Sequence, residues 1–260
     1  MNRRSLIFNL VFSFAGSLLV LFVVLPLVST LLSTTPLDFL RSIGDPELLD
    51  SIGLTFGAAV IATALAMVTG VPLAYLLARR KFYGKRLLEA VVNLPVVIPH
   101  TAAGVALLLV FGRRGLLGQA FAPLGITFTD NLGGIVVAML FVSLPFLVNL
   151  SREAFALTDE ELERVAMIDG ASPWQAFWHV TLPQAWRGVL GGAVMMWARG
   201  ISEFGAVVIL AYNPKIVPVL IYELYEGYGL KAAEPVTLLL ILVALVVFIL
   251  LRLVLLPEKD

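Results

Sequence analysis

The sequence predicts an all-α polytopic membrane protein of about six transmembrane helices, and three observations carry that expectation. Apolar residues make up 60% of the chain and charged residues 14%, where soluble domains average about 45–50% and about 25%. Mean hydropathy is +0.97. Runs with few or no charges, long enough for the ~20 helical residues that cross ~30 Å of hydrocarbon, can be placed at residues 6–32, 52–78, 90–112, 132–150, 188–212 and 236–256.

Composition also excludes. Formal net charge is +0, and no basic stripe with interleaved aromatics suggests nucleic acid. With Cys 0, structural disulfides, thiolate metal sites and cysteine nucleophiles are ruled out.

The first run follows Arg3 and Arg4, which imitates a signal peptide. Its apolar length exceeds the roughly 7–15 residues of such a region, and no small-x-small cleavage site follows, so it is expected to stay as a span. The stretch 33–50, with Asp38, Asp45, Glu47 and Asp50 among apolar residues, reads as a short interfacial helix. The third run carries Pro95 and Pro99, each removing a backbone donor. Such breaks persist only where protein or a cavity satisfies the freed carbonyls. The span therefore belongs inside the bundle, as a pore-lining gate or as a kinked packing helix. His100 follows directly; a lone histidine there senses pH, binds a ligand or, most simply, bonds to a neighbouring carbonyl.

Arg113 and Arg114, between Gly112 and Gly115, either anchor a helix end in solvent or form a paired guanidinium at the outer mouth for an oxyanion or an acidic partner. In the fifth run Arg199 and Glu203 stand four apart. Each costs roughly 2.5–3.5 kcal/mol at mid-membrane, so neither should face lipid. Their spacing lets them pair, as a fixed packing element or as part of a pathway, with Ser202 and Gly205 beside them allowing close helix approach. The segment 213–234, rich in Tyr222, Tyr225 and Tyr228, is a short helix, a re-entrant element or a headgroup-level stretch.

Orientation follows from lysine and arginine. One side receives Arg3, Arg4, Arg79, Arg80, Lys81, Lys85, Arg86, Arg152, Arg164, Arg187, Arg252 and Lys259, the other only Arg41, Arg113, Arg114, Lys215 and Lys231. Both termini and the polar segment 158–183 are therefore expected in the cytoplasm.

That segment reads as two short helices joined by a hinge. Thr158 and Glu161 have the form of a capping box, Leu162, Val165, Ala166 and Ile168 lie close to one face, and Gly170 stands where a left-handed residue would end the helix. Ser172, Pro173 and Gln175 then restart a helix with Trp174, Phe177 and Trp178, closed by Leu182 and Pro183. Its apolar face must be received by the membrane surface or by a partner protein. Ala166, Gly170, Ala171, Val180, Leu182 and Pro183 resemble the EAA loop of ABC-importer permeases, although Arg164 and Val165 stand where Glu and Ala are usual. The resemblance narrows with NLPVVIPHTAAG at 93–104, FGRRGLLG at 111–118 and MMWARGISEFGAVVILAY at 195–212, which look like the membrane subunit of molybdate and tungstate ABC importers; sulfate permeases share some of these features.

The resemblance implies a type I ABC importer permease fold, a single transmembrane permease domain over 1–260 with a cytoplasmic coupling loop at 151–187, and a multi-pass place in the cell membrane. It implies a homodimer, two cytoplasmic ATPase subunits and an extracytoplasmic oxyanion-binding protein. Ala166, Gly170, Ala171, Ser172, Trp174, Phe177, Leu182 and Pro183 would form the ATPase-coupling surface. Pro95, Pro99, His100, Arg199, Ser202 and Glu203 would be pore or gate candidates. No cofactor or metal belongs to this chain; ATP and Mg would be bound by the partner ATPase, and no GxxxxGK[ST] sequence occurs here. A secondary transporter would want inverted repeats with matching breaks, and 95–99 has no clear counterpart in the second half. An intramembrane enzyme would want paired acids within spans, where Glu203 stands alone. A non-transporting scaffold subunit would carry the same docking loop.

Overall fold

A computed structural model of the chain describes residues 3–255, with side chains for 7–251 and Leu253. Arg3, Arg4, Arg252 and Lys259, four contributors to the charge bias, lie outside the described side chains, as does Leu256 at the end of the sixth expected span. Every regular element among the described residues is helical: α1 (Arg3–Ser33), α2 (Pro36–Ile43), α3 (Pro46–Arg79), α4 (Lys85–Val97), α5 (His100–Phe111), α6 (Leu116–Phe121), α7 (Leu132–Leu157), α8 (Glu160–Ile168), α9 (Pro173–Ala176), α10 (Leu182–Ile201), α11 (Gly205–Leu210), α12 (Val217–Tyr228) and α13 (Leu230–Leu255). A 3-10 turn occupies Ala122–Leu124 and a π turn Phe177–Thr181.

The chain forms two compact units, one of residues 1–49 and 221–243, the other of 50–220 and 244–260. In the first, α1 is strongly apolar over Ile7–Ser33 and none of that stretch is buried, as suits a helix with no polar face in hydrocarbon. The short helix expected in 33–50 is α2, with Thr35 accepting from the Asp38 amide and Pro36 in the first turn. The second span starts earlier than residue 52, because the Asp45 carboxylate accepts from the Glu47 amide at 3.0 Å and opens α3 at Pro46.

In the second unit α7 is the axis, packed against α4, α5, α10 and α11. One part of its core joins Met139 and Val142 to Ala58, Ala62, Ala103 and Trp197; another joins Leu147 and Phe155 to Leu77, Phe177 and Met196. Small residues set the helix spacing. A Cβ on Gly188 of α10 would lie 2.3 Å from the Ala154 Cβ of α7, so the two backbones approach as only glycine permits.

Two expected spans are not single helices. The third, 90–112, is broken at Ile98–Pro99: both residues are extended, α4 ends at Val97 and α5 starts at His100, because proline disfavours helix in the residue before it. The apolar stretch there is His100–Leu124. The fifth, 188–212, begins earlier, at Leu182, and divides at Ser202–Phe204 into α10 and α11. Five stretches among the described residues are long and apolar enough to cross a membrane, and α10, which contains Arg187 and Arg199, is not among them. Of the segment 213–234, residues 217–228 form α12 and 230–234 begin α13, while 213–216 are irregular.

Gly188→Ala should strain the contact between α7 and α10 and lower stability by about 1–3 kcal/mol. Gly53→Ala, where a Cβ meets nothing within 4 Å, should be neutral or slightly stabilising. Melting curves of the detergent-solubilised variants check both.

Candidate functional site

The two helix breaks meet. His100, first residue of α5, and Glu203, between α10 and α11, are brought together with Arg199 in the last turn of α10. Arg199 Nη2 donates to Glu203 Oε2 at 3.0 Å and to His100 Nε2 at 2.8 Å, while His100 Nδ1 lies 3.3 Å from Glu203 Oε2. Arg199 Nη2 also lies 3.2 Å from His100 Nδ1, so the guanidinium faces both ring nitrogens. Glu203 Oε1 accepts from the Ala206 amide at 2.8 Å, which satisfies a donor freed at the start of α11. A Cβ on Gly205 would stand 2.7 Å from the His100 Cβ, so the approach of α5 requires a glycine there. The expected pairing of Arg199 with Glu203 is present, but across a helix end rather than along a continuous helix. His100 bonds to these side chains and not to a backbone carbonyl, because the break at Pro99 turns the start of α5 towards α10.

Burial within this cluster is graded. The Glu203 side chain is 1% exposed, that of Arg199 22% and that of His100 41%. Ser202 is exposed, and its hydroxyl accepts from Arg199 Nη1 at 3.1 Å. One side of the cluster is thus a sealed ion pair and the other an open rim of Ser202, His100 and Arg199. Of the prolines, Pro95 is buried within α4 and Pro99 is exposed at the break. They shape the backbone and make none of the cluster's polar contacts. Nearby, Asn149 Nδ2 donates to Asn93 Oδ1 at 2.6 Å, and Arg152 Nη1 lies 2.9 Å from Glu89 Oε1, tying α7 to α4.

Arg113 and Arg114 belong to a separate cleft of about 440 Å³, shared with Leu108, Leu109, Thr129 and Asp130. Both arginines are exposed. The turn holding them needs its glycines, since a Cβ on Gly115 would meet the Val110 carbonyl oxygen at 2.5 Å and one on Gly118 the Gly112 oxygen at 1.9 Å.

In 158–183 the hinge is formed as its spacing predicts. Gly170 has φ +98°, its amide donates to the Met167 carbonyl, and the Ala171 amide donates to that of Ala166, a left-handed helix stop. Ser172 and Gln175 form a full capping box ahead of Pro173. Two expectations fail. The first helix is capped by Asp159, which accepts from the Glu161 amide, because the Thr158 hydroxyl already donates to the Phe155 carbonyl and accepts from Arg79. The second helix is not closed by Leu182 and Pro183 but runs through the π turn into α10, the Leu182 amide reaching back to the Phe177 carbonyl. The wider turn takes in a proline that has no donor of its own.

The apolar residues of this loop divide by burial. Phe177 and Leu182 are buried in the core beside Leu77 and Phe155 and anchor the loop, while both also line an apolar cleft of about 500 Å³ with Trp174, Trp178 and the α3 residues Val71 and Tyr75. Leu162, Val165, Ile168, Trp174 and Trp178 are exposed. Ala166 and Ala171 are half-buried, and Gly170, Ser172 and Pro183 exposed. Sequence reasoning missed a polar node under the loop. Glu163 accepts from the Tyr75 hydroxyl and from Thr181 Oγ1 at 2.9 Å, and lies 3.7 Å from Arg79 Nε. Tyr75 and Arg79 are far away in sequence, and one glutamate among the acids Asp159, Glu160, Glu161, Glu163 and Asp169 carries no local mark.

Residues 70–256 match the family described as binding-protein-dependent transport system inner membrane component. The chain is 42% identical over 256 residues to the molybdate/tungstate transport system permease protein WtpB of Pyrococcus furiosus, covering 97% of this chain and 96% of the relative. A protein of the same description from Methanocaldococcus jannaschii is 37% identical over 233 residues, 89% of this chain and 90% of that one. A probable sulfate transport system permease protein of Zygnema circumcarinatum is 32% identical over 260 residues, 97% of this chain and 90% of the relative. Among solved structures the fold matches a chain of a bacterial alginate ABC transporter in complex with its periplasmic protein, at TM-score 0.77 and 15% identity over 96% of this chain and 94% of that one. It also matches the MetNI methionine ABC transporter in an inward-facing conformation, at TM-score 0.61 and 18% identity over 80% of this chain and 92% of that one. These structures share the type I ABC importer permease fold with the present chain. With a family match across most of its length and full-length relatives well above 30% identity, this multi-pass membrane protein belongs to the binding-protein-dependent transport system inner membrane components.

Proposed function

We propose that this chain is the permease subunit of an ATP-driven importer for molybdate and tungstate oxyanions. The observation that carries the proposal is its 42% identity, across 97% of its length, to a molybdate/tungstate permease. Sulfate is the second reading, favoured by the 32% identity to a probable sulfate permease. The chain catalyses nothing itself. Two copies, working as single permease domains over 1–260, form the pore; two cytoplasmic ATPase subunits hold ATP and Mg; an extracytoplasmic binding protein delivers the anion. Both termini and the loop 151–187 lie in the cytoplasm.

The loop's exposed apolar face supports an ATPase docking role. Leu162, Val165, Ile168, Trp174 and Trp178 lie outward on a helix pair fixed by a left-handed stop and a capping box. Aromatic residues on such a rigid face are typical anchors of a protein contact. A docked ATPase moves this pair, and the π turn carries the motion into α10, whose far end holds Arg199.

A dianion cannot cross bare hydrocarbon, where an isolated charge costs on the order of tens of kcal/mol. The open rim of Ser202, His100 and Arg199 offers donors to it, twice over in a dimer. Glu203 already neutralises Arg199, so the rim holds an anion weakly enough to release it, as conduction requires. Arg113 and Arg114 at the outer mouth attract the anion or an acidic face of the binding protein.

ATP hydrolysis should be measured in proteoliposomes holding this chain with its ATPase and binding protein. Molybdate or tungstate should stimulate it, and Gly170→Arg, which forces a side chain to φ +98° at a cost of about 1–2 kcal/mol, should abolish the stimulation. Stimulation by sulfate alone would reassign the substrate, and no response to any anion would refute the importer. Glu203→Ala should destabilise the protein by about 3 kcal/mol by leaving Arg199 without its counter-charge. Ser202→Ala should change stability by less than about 0.5 kcal/mol while slowing uptake, and thermal unfolding with radiolabelled uptake separates the two.

A further inference from the structure

We propose that Glu163 ties the ATPase-facing helix pair to α3, and that it is the positioning residue through which movement of the pair reaches that span. The proposal rests on the docking role given to α8 and α9. Its starting observation is that α8 has no buried residue. Leu162, Val165 and Ile168 are exposed and only Ala166 among its apolar residues is half-buried, so little apolar burial seats this nine-residue helix on the bundle. A helix of that length is marginal without tertiary support.

Polar contacts supply the seat. The Glu163 side chain is 12% exposed and that of Arg79 7%, so both charges are largely withdrawn from water, where screening is weak. One Glu163 oxygen accepts from the Tyr75 hydroxyl, and the other accepts from Thr181 and faces Arg79 Nε. Arg79 reaches further, to the Thr158 carbonyl at 3.1 Å and to Glu160 Oε1 at 3.3 Å. The Tyr75 ring is itself fixed edge-on against Phe155 and Phe177, at centroid distances of 5.6 and 5.0 Å. Glu163 thus links α8 at once to α3 and to the end of the π turn, while Arg79 adds the C-terminal end of α7. The peptide chain alone would pass motion from the pair to its sequence neighbours α7 and α10. This node adds α3, whose Ala58, Ala59 and Ala62 pack in the core that also contains Trp197 and Ile201.

The test is anion uptake per ATP hydrolysed in the reconstituted complex, with ATPase affinity measured in parallel. Glu163→Ala should keep ATPase binding within about twofold and lower uptake per ATP by about tenfold. Glu163→Gln, which retains partners for Tyr75 and Thr181, should recover most of the ratio. Tyr75→Phe, which removes a single hydroxyl, should give an intermediate loss of about threefold and provides the readout if the alanine variant does not fold. An unchanged ratio in both Glu163→Ala and Tyr75→Phe would overturn the proposal. So would a loss confined to ATPase affinity, since Glu163 would then only shape the docking face. Failure of the wild-type chain to bind its ATPase would instead overturn the docking role itself, and this link with it.

Discussion

Within hydrocarbon, every interruption of a helix frees polar groups that water cannot satisfy, and this chain interrupts two of its expected spans. It brings the interruptions together. The salt bridge between Arg199 and Glu203, with His100 set against both, lets a proline break and a helix end coexist in an apolar core. Glu203 is the centre of that arrangement, because one of its oxygens neutralises a guanidinium while the other accepts from the Ala206 amide in the first turn of α11. Removing the carboxylate would leave a charge and a backbone donor unmet in the same place. The proline break at Ile98–Pro99 and the close approach at Gly205 bring His100 to this pair, and Ser202 forms its open side.

The same economy of polar contacts recurs at the other end of the second unit. There the loop turns its apolar residues outward, and a glutamate in contact with Tyr75, Arg79 and Thr181 holds it in place. A helix pair fastened by charge and hydrogen bonds, with an unburied apolar face, is suited to receive a partner and to transmit a push. Between the two polar sites runs α7, apolar and mostly buried, whose contact with α10 is set by Gly188.

What was legible in the sequence was what local chemistry dictates. Gly170, Ser172, Pro173 and Gln175 define the hinge because each acts on its own backbone neighbourhood, and the structure forms it as spaced. The apolar runs revealed the membrane class and most of the spans. The misplacements come from contacts that local spacing does not encode. Thr158 has the chemistry of an N-cap, yet Arg79, remote in sequence, takes its hydroxyl. Leu182 and Pro183 look like a stop, yet a π turn carries the chain past them. The partnership of His100 with Arg199 and Glu203 depends on two helix breaks meeting in space, which no spacing in the sequence encodes. The resemblance places Phe177 and Leu182 in the docking surface, while their burial in the core depends on packing that local spacing does not encode.

The central claim is that the rim beside the buried pair faces an aqueous path rather than lipid. Because the chain has Cys 0, Ser202→Cys introduces a single thiol at an exposed position in that rim. The most direct measurement is its labelling, in the membrane-embedded complex, by a charged water-soluble thiol reagent and by an uncharged membrane-soluble one. A water-lined pore predicts reaction with the charged reagent at a rate that changes during ATP turnover. Reaction with the membrane-soluble reagent alone, at one rate in every state, would place the rim against lipid and contradict the account.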